Sequence, residues 1–131
     1  MERFIGQFSI LVKDYDEALD FYINVLGFEL VEDTILSPDK RWVVIKPSNT
    51  KGQGCNLLLA RASNLVQEKY IGNQTGGRVF LFLYTDNINR DYELLIKNGV
   101  EIVRPLSDES YGRVLVFSDL YGNLWDLIET R

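Results

Sequence analysis

Histidine is absent from the whole 131-residue chain. Without imidazole there is no Ser-His-Asp triad, no Cys-His pair, no two-His-one-carboxylate iron site and none of the common zinc sites. Cysteine occurs once, at Cys55, so no intrachain disulfide can form. Cys55 lies beside an apolar strand with no imidazole to activate it, and it reads as a packed hydrophobe rather than a nucleophile. Long apolar runs are missing too. The longest covers residues 79–84, well short of a bilayer span, and the opening Met-Glu-Arg-Phe-Ile-Gly lacks the apolar stretch of a secretory signal. The expected location is the cytoplasm. Positive charge is in deficit: 14 Lys and Arg against 19 Asp and Glu leave a net charge of −5. A surface with that balance repels phosphate backbones and anionic lipid, which argues against nucleic-acid and membrane partners.

The residues that are present suit a single packed domain. An apolar share of 46% and a charged share of 25% are ordinary for a folded chain of this length. Residues 8–12 alternate as a strand, with Phe8, Ile10 and Val12 on one face and Gln7, Ser9 and Leu11 on the other. Asp14 fits a helix N-cap with Glu17 three residues on, the pattern of a capping box. Tyr15, Ala18, Leu19, Tyr22 and Leu26 make one helical stripe, and Gly27 stops it. Strands are expected over 28–36, 42–45 and 56–60.

A shift of 72 residues repeats the pattern. Asp14 falls on Asp86, Gly27 on Gly99, Glu29 on Glu101 and Val31 on Val103 without a gap. The second copy then reads as a strand at 79–84, a cap at Asp86, a helix over 88–98, and strands at 100–103, 114–117 and 124–129. This is the mark of an internal duplication. The expected organisation is module one over about residues 1–60, a glycine-containing connection over 61–78, and module two over 79–131. Residues 47–54 and 105–112 are expected to be corresponding loops. The fold class is α+β: two tandem β-α-β-β-β modules whose sheets roll into an eight-stranded, incompletely closed barrel or cup.

Five segments, Val12-Lys-Asp14, Ala18-Leu-Asp-Phe-Tyr22, Val25-Leu-Gly-Phe28, Tyr111-Gly-Arg113 and Asp119-Leu-Tyr-Gly-Asn123, together resemble the glyoxalase/bleomycin-resistance/dioxygenase (vicinal oxygen chelate) superfamily. The resemblance covers nearly the whole chain and implies the fold. It says little about function, because this fold hosts lyases, isomerases, ring-cleaving dioxygenases, thiol transferases and drug-binding resistance proteins. Metal-using relatives place ligands on the first and last strands of each module. Carried over singly, those positions fall on Gln7, Phe80, Asp126 and either Leu57 or Leu58. One carboxylate and one amide make a poor divalent site, so no metal and no cofactor are expected.

The candidate ligand-binding residues are Gln7, Trp42, Phe80, Phe82, Tyr111, Arg113 and Asp126. Asp126 lies among apolar neighbours, where burial disfavours its charge, and it is the leading anchor. The aromatics fit a pocket wall or, more plainly, core packing. Arg113 fits a clamp for an anionic group or a surface ion pair with Asp108 or Glu109. The reading is a metal-free binder of an apolar or aromatic small molecule, of drug-sequestering or sensing type, acting as a homodimer. The alternatives are an enzyme of the same superfamily working through Asp126 or a partly ligand-held metal, with its catalytic residues unassigned, and a dimerisation module with a vestigial cup.

Overall fold

The computed structural model describes residues 1–131, and they divide into two compact units, Met1–Ile71 and Gly72–Arg131. The first holds β1 (Gln7–Val12), α1 (Tyr15–Leu19), β2 (Glu29–Ser37), β3 (Lys40–Lys46), β4 (Asn56–Arg61) and α2 (Leu65–Glu68). The second holds β5 (Val79–Tyr84), α3 (Ile88–Lys97), β6 (Ile102–Glu109), β7 (Gly112–Ser118) and β8 (Leu124–Thr130). Each unit makes one four-stranded mixed sheet, in the orders β1-β4-β3-β2 and β5-β8-β7-β6. The first and last strands of a unit pair in parallel and the other neighbours are antiparallel. This is the duplicated β-α-β-β-β arrangement expected from the 72-residue shift.

In the first unit the alternation of β1 resolves as expected. Ile10 and Val12 are buried together with Leu57, Leu59, Val43 and Ile45 from the paired strands. Tyr15, Ala18 and Tyr22 close this core from the helical side. Asp14 caps α1, its Oδ2 accepting from the Glu17 amide at 2.8 Å. The helix does not stay α to Gly27, however. It widens into a six-residue π-helix, Asp20–Val25, with the Leu26 amide donating to the Phe21 carbonyl. Tyr22 is fully buried in that wider turn, its ring packed against Phe21 and Phe28. The glycine stops hold at both ends of the repeat: Gly27 and Gly99 have φ of 76° and 71°, the left-handed region.

The second unit packs Leu115, Phe117, Trp125 and Leu127 against Ile88 and Leu95 of α3, with the Phe117 and Trp125 rings stacked at 5.7 Å. Two expectations need correction here. Asn87, not Asp86, is the N-cap of α3, its Oδ1 accepting from the Arg90 amide. The helix begins at Ile88, so only Asn87 stands in the cap position, and Asp86 pairs with Arg90 instead. Residues 105–112 are not a loop. β6 continues through Pro105 to Glu109, because a register shift between Arg104 and Ser107 lets the sheet pass the residue that cannot donate. The connection expected over 61–78 carries a short helix, α2, capped by Asn64.

Candidate functional site

Ladder pairing settles which side chains share a face, because residues opposite one another in a sheet point the same way. In the second unit, Arg113, Leu115 and Phe117 of β7 pair with Glu129, Leu127 and Trp125 of β8. This is the α3 side: Glu129 Oε1 accepts from the Ile88 amide at 3.0 Å, and Arg113 Nη1 donates to Asn89 Oδ1 at 3.0 Å. Arg113 is therefore a strut between β7 and the first turn of α3. The opposite face carries Leu124, Asp126 and Ile128 of β8, Val114 and Val116 of β7, Arg104 and Ser107 of β6, and Phe82 and Tyr84 of β5.

Asp126 stands in the middle of that face, with Phe82 on one side and Val116 on the other. Val116 and Ile128 are buried, so the carboxylate sits half-buried on an apolar floor. Burial pushes its pKa above the ordinary carboxylate range, and the charge of Arg104 pulls it partly back. No hydrogen bond contributes to holding the charged form. Phe82 faces the carboxylate across the ladder and Tyr84 follows it along β5, opposite Ile128, both exposed aromatics at 57% and 65% of their full exposure. An unsatisfied carboxylate beside accessible rings can accept a hydrogen bond from a ligand whose apolar body covers those rings.

The other expected residues are placed as follows. Gln7 is exposed at the start of β1, and Trp42 is half-buried on β3, opposite Thr34. Both lie on the face of the first sheet turned away from α1, which they share with Ser9, Leu58 and Val44. Phe80 falls at a register shift between Val79 and Leu81 and is half-buried. Tyr111 sits in the turn between β6 and β7, beside Gly112, which pairs with Thr130 at the far end of the ladder from Asp126. So the structure brings Phe82 and Asp126 together, sets Arg113 on the opposite face, and leaves Tyr111 about 16 Å along the strand direction.

Sequence reasoning missed two members of this face, Arg104 and Tyr84. Tyr84 was signalled by its alternation with Phe82. Arg104 was hidden by the expectation that Pro105 ends the strand.

The metal positions carried over from the resemblance do not form a donor set. The ladder makes Leu58 the counterpart of Asp126: Leu58 pairs with Ser9 and Val44, as Asp126 pairs with Phe82 and Val116. Nowhere does the chain gather three or more Cys, Asp or Glu side chains in a group able to hold a metal ion. A lone carboxylate is too few protein donors for Mg²⁺, Mn²⁺ or Zn²⁺. The residues present do not fit the metal of the metal-using relatives.

Comparison with known proteins adds four findings. The chain matches the Glyoxalase/Bleomycin resistance protein/Dioxygenase superfamily over residues 4–127. An uncharacterized protein of Shewanella frigidimarina is 53% identical over 130 residues, covering 98% of this chain and 95% of that one. Among solved structures, a superfamily member from Sphaerobacter thermophilus is 30% identical with a TM-score of 0.72, covering 98% of each chain. TnmS3, an antibiotic binding protein from Streptomyces sp. CB03234, is 26% identical with a TM-score of 0.77, covering 99% of this chain and 98% of that one. No helix in the structure is long and apolar enough to cross a membrane.

Proposed function

The chain belongs to the glyoxalase/bleomycin resistance protein/dioxygenase superfamily, and from that premise we propose that it binds a small apolar or aromatic molecule, without a metal, on the sheet face that carries Asp126. One observation carries this reading: a half-buried carboxylate with no hydrogen bond, beside the exposed rings of Phe82 and Tyr84 on β5. Such a group is costly in the free protein and gains a partner when a ligand with an N–H or O–H donor docks on the rings. The likeness to an antibiotic binding protein supports an antibiotic-like small molecule as the ligand; an aromatic body, a sequestering or sensing role and a cytoplasmic location are parts of the same proposal.

The active form in this reading is a homodimer. All nine residues of β2 are exposed, among them Leu30, Val31, Ile35 and Leu36, and apolar side chains in such number favour cover by a second copy. Light scattering is expected to give about twice the 15.1 kDa chain mass.

Titration of a panel of drug-like aromatics, read by tryptophan fluorescence, tests the binding. At least one compound is expected to saturate at one per chain, and Asp126→Asn is expected to weaken it by about 1–3 kcal/mol. A panel with no binder, or a binder indifferent to Asp126→Asn, overturns the reading.

A second reading has its own support. Burial raises the Asp126 pKa, the direction a general base takes to work nearer neutral pH. An enzyme returns the bound compound chemically altered, whereas a binder returns it intact, and mass analysis of the recovered ligand separates the two.

A further inference from the structure

Resting on the binding reading above, we propose that Arg104 sets the specificity of the Asp126 face: it selects ligands that carry an anionic group on an aromatic body whose hydrogen-bond donor reaches Asp126. Asp126, Val116 and Arg104 stand in one row across β8, β7 and β6, pointing to the same side. The two outer strands lie two strand spacings apart, about 10 Å between backbones, with only the Val116 side chain between them. That span matches a fused two-ring body with substituents at its ends.

The guanidinium of Arg104 is uncommitted. The arginines at 41, 90 and 131 form ion pairs, and Arg113 donates to Asn89, but no ion pair engages Arg104. It is exposed, and its one electrostatic partner is the carboxylate across the row. A fork of N–H donors at the rim of an apolar floor takes a carboxylate, sulfonate or phenolate. On a chain of net charge −5 an anion has no general reason to bind, so an anion preference at this face has to come from a local cation.

A matched pair of dyes tests the proposal: 2-anilinonaphthalene-6-sulfonate, whose N–H and sulfonate sit at opposite ends of the fused rings, and its neutral parent, N-phenyl-2-naphthylamine. They share two aromatic units and an N–H donor and differ only in the sulfonate. The parent protein is expected to bind the sulfonate about tenfold more tightly than the neutral dye, the scale of one charge-assisted hydrogen bond. Arg104→Gln is expected to erase that preference while leaving the neutral dye within about twofold, and Arg104→Lys to restore part of it. Phe82→Ala is expected to weaken both dyes. If Phe82→Ala leaves both unchanged, the dyes bind elsewhere, and both the binding reading and this proposal fail. If Phe82→Ala weakens both but Arg104→Gln affects them equally or not at all, the face is a binding site and Arg104 is not its selector. Arg104 is exposed, so an unchanged melting temperature in both Arg104 variants serves as the folding control.

Discussion

The units Met1–Ile71 and Gly72–Arg131 share one strand order but solve the same local problems with different residues. Some solutions are common to both. Arg41 and Arg113 stand 72 residues apart, and each ties the third strand of its sheet to the first turn of the helix, through Asp16 in one case and Asn89 in the other. Arg41 does more: it also grips Asp33, whose pKa it holds below the ordinary range, and lies over the Tyr15 ring. The connection before the last strand differs outright. In the first unit residues 47–55 form a longer loop in which Asn49 and Lys51 adopt positive φ. In the second unit residues 119–123 are drawn around Asp119, whose buried carboxylate accepts from the Tyr121 and Asn123 amides, Asn123 Nδ2 and Trp125 Nε1. A duplicated fold thus keeps its scaffold struts and diverges in its turns and on the open sheet face.

If the comparison is right, the largest loss comes from the second unit's turn. Asp119→Ala removes a buried acceptor from four donors and is expected to cost about 3–5 kcal/mol, or to prevent folding at 37 °C. Asn49→Ala in the first unit's loop changes an exposed residue and is expected to stay within about 1 kcal/mol. Urea unfolding of the two variants measures both. Equal losses would mean that the two loops hold their sheets in the same way after all.

The shared scaffold was legible beforehand and the divergence mostly was not, and the reason differs by residue. The glycine stops and strand alternations are local rules, so the repeat of Gly27 and of the strand after it announced the duplicated fold, while the second cap falls one residue on from Asp86, at Asn87. The same shift places Arg41 on Arg113, a signal that Arg113 belongs to the scaffold; the sequence alone also allowed an anion clamp. Only pairing register shows that Arg113 and Asp126 occupy opposite faces of one sheet. The π-helix at Asp20–Val25 was not legible, because a 3.6-residue stripe looks the same until the wider turn is seen. The continuation of β6 past Pro105 was hidden for a related reason: a bulge depends on the partner strand, and a single segment does not reveal its partner.

A smaller effect separates two equivalent turns. Gly112 follows the β6–β7 turn with φ of 148°, and a Cβ there would stand 2.3 Å from the Glu129 carbonyl oxygen. Its counterpart 72 residues earlier is Lys40, which carries a full side chain after the β2–β3 turn. The cause is the length of the last strand. β8 runs on to pair Thr130 with Gly112, whereas the β3–β4 ladder spans only Val43–Ile45 and stops short of Lys40. Gly112→Ala is expected to cost about 2–3 kcal/mol through clash and backbone strain, and Lys40→Ala about 0.5 kcal/mol or less. Thermal unfolding of the pair reads the difference, and a well-tolerated Gly112→Ala would show that the close approach of β8 is not binding on the turn.

The smallest expected effect bears most directly on function, and it tests the sharpest difference between the sheets: Asp126 in one where Leu58 stands in the other. Asp126→Leu makes the second face resemble the first. If the carboxylate is kept for a ligand, the free protein gains from its loss, because a half-buried charge without hydrogen bonds is exchanged for apolar packing. The gain is expected to be on the order of 1 kcal/mol at pH 7, with Asp126→Asn giving a smaller one. The sign of the pH dependence follows from the raised pKa. Below the ordinary carboxyl value of 3.8 the group is neutral in both folded and unfolded chains, and its burial penalty vanishes. As pH rises through the higher folded value the charge forms in a poor place and stability falls relative to the variants. The advantage of Asp126→Leu and Asp126→Asn should therefore be greatest at neutral pH and shrink as pH drops toward 4. A structural carboxylate predicts the reverse: Asp126→Leu would melt below the parent at neutral pH. Melting curves of parent and both variants between pH 4 and 7 decide which role the residue plays.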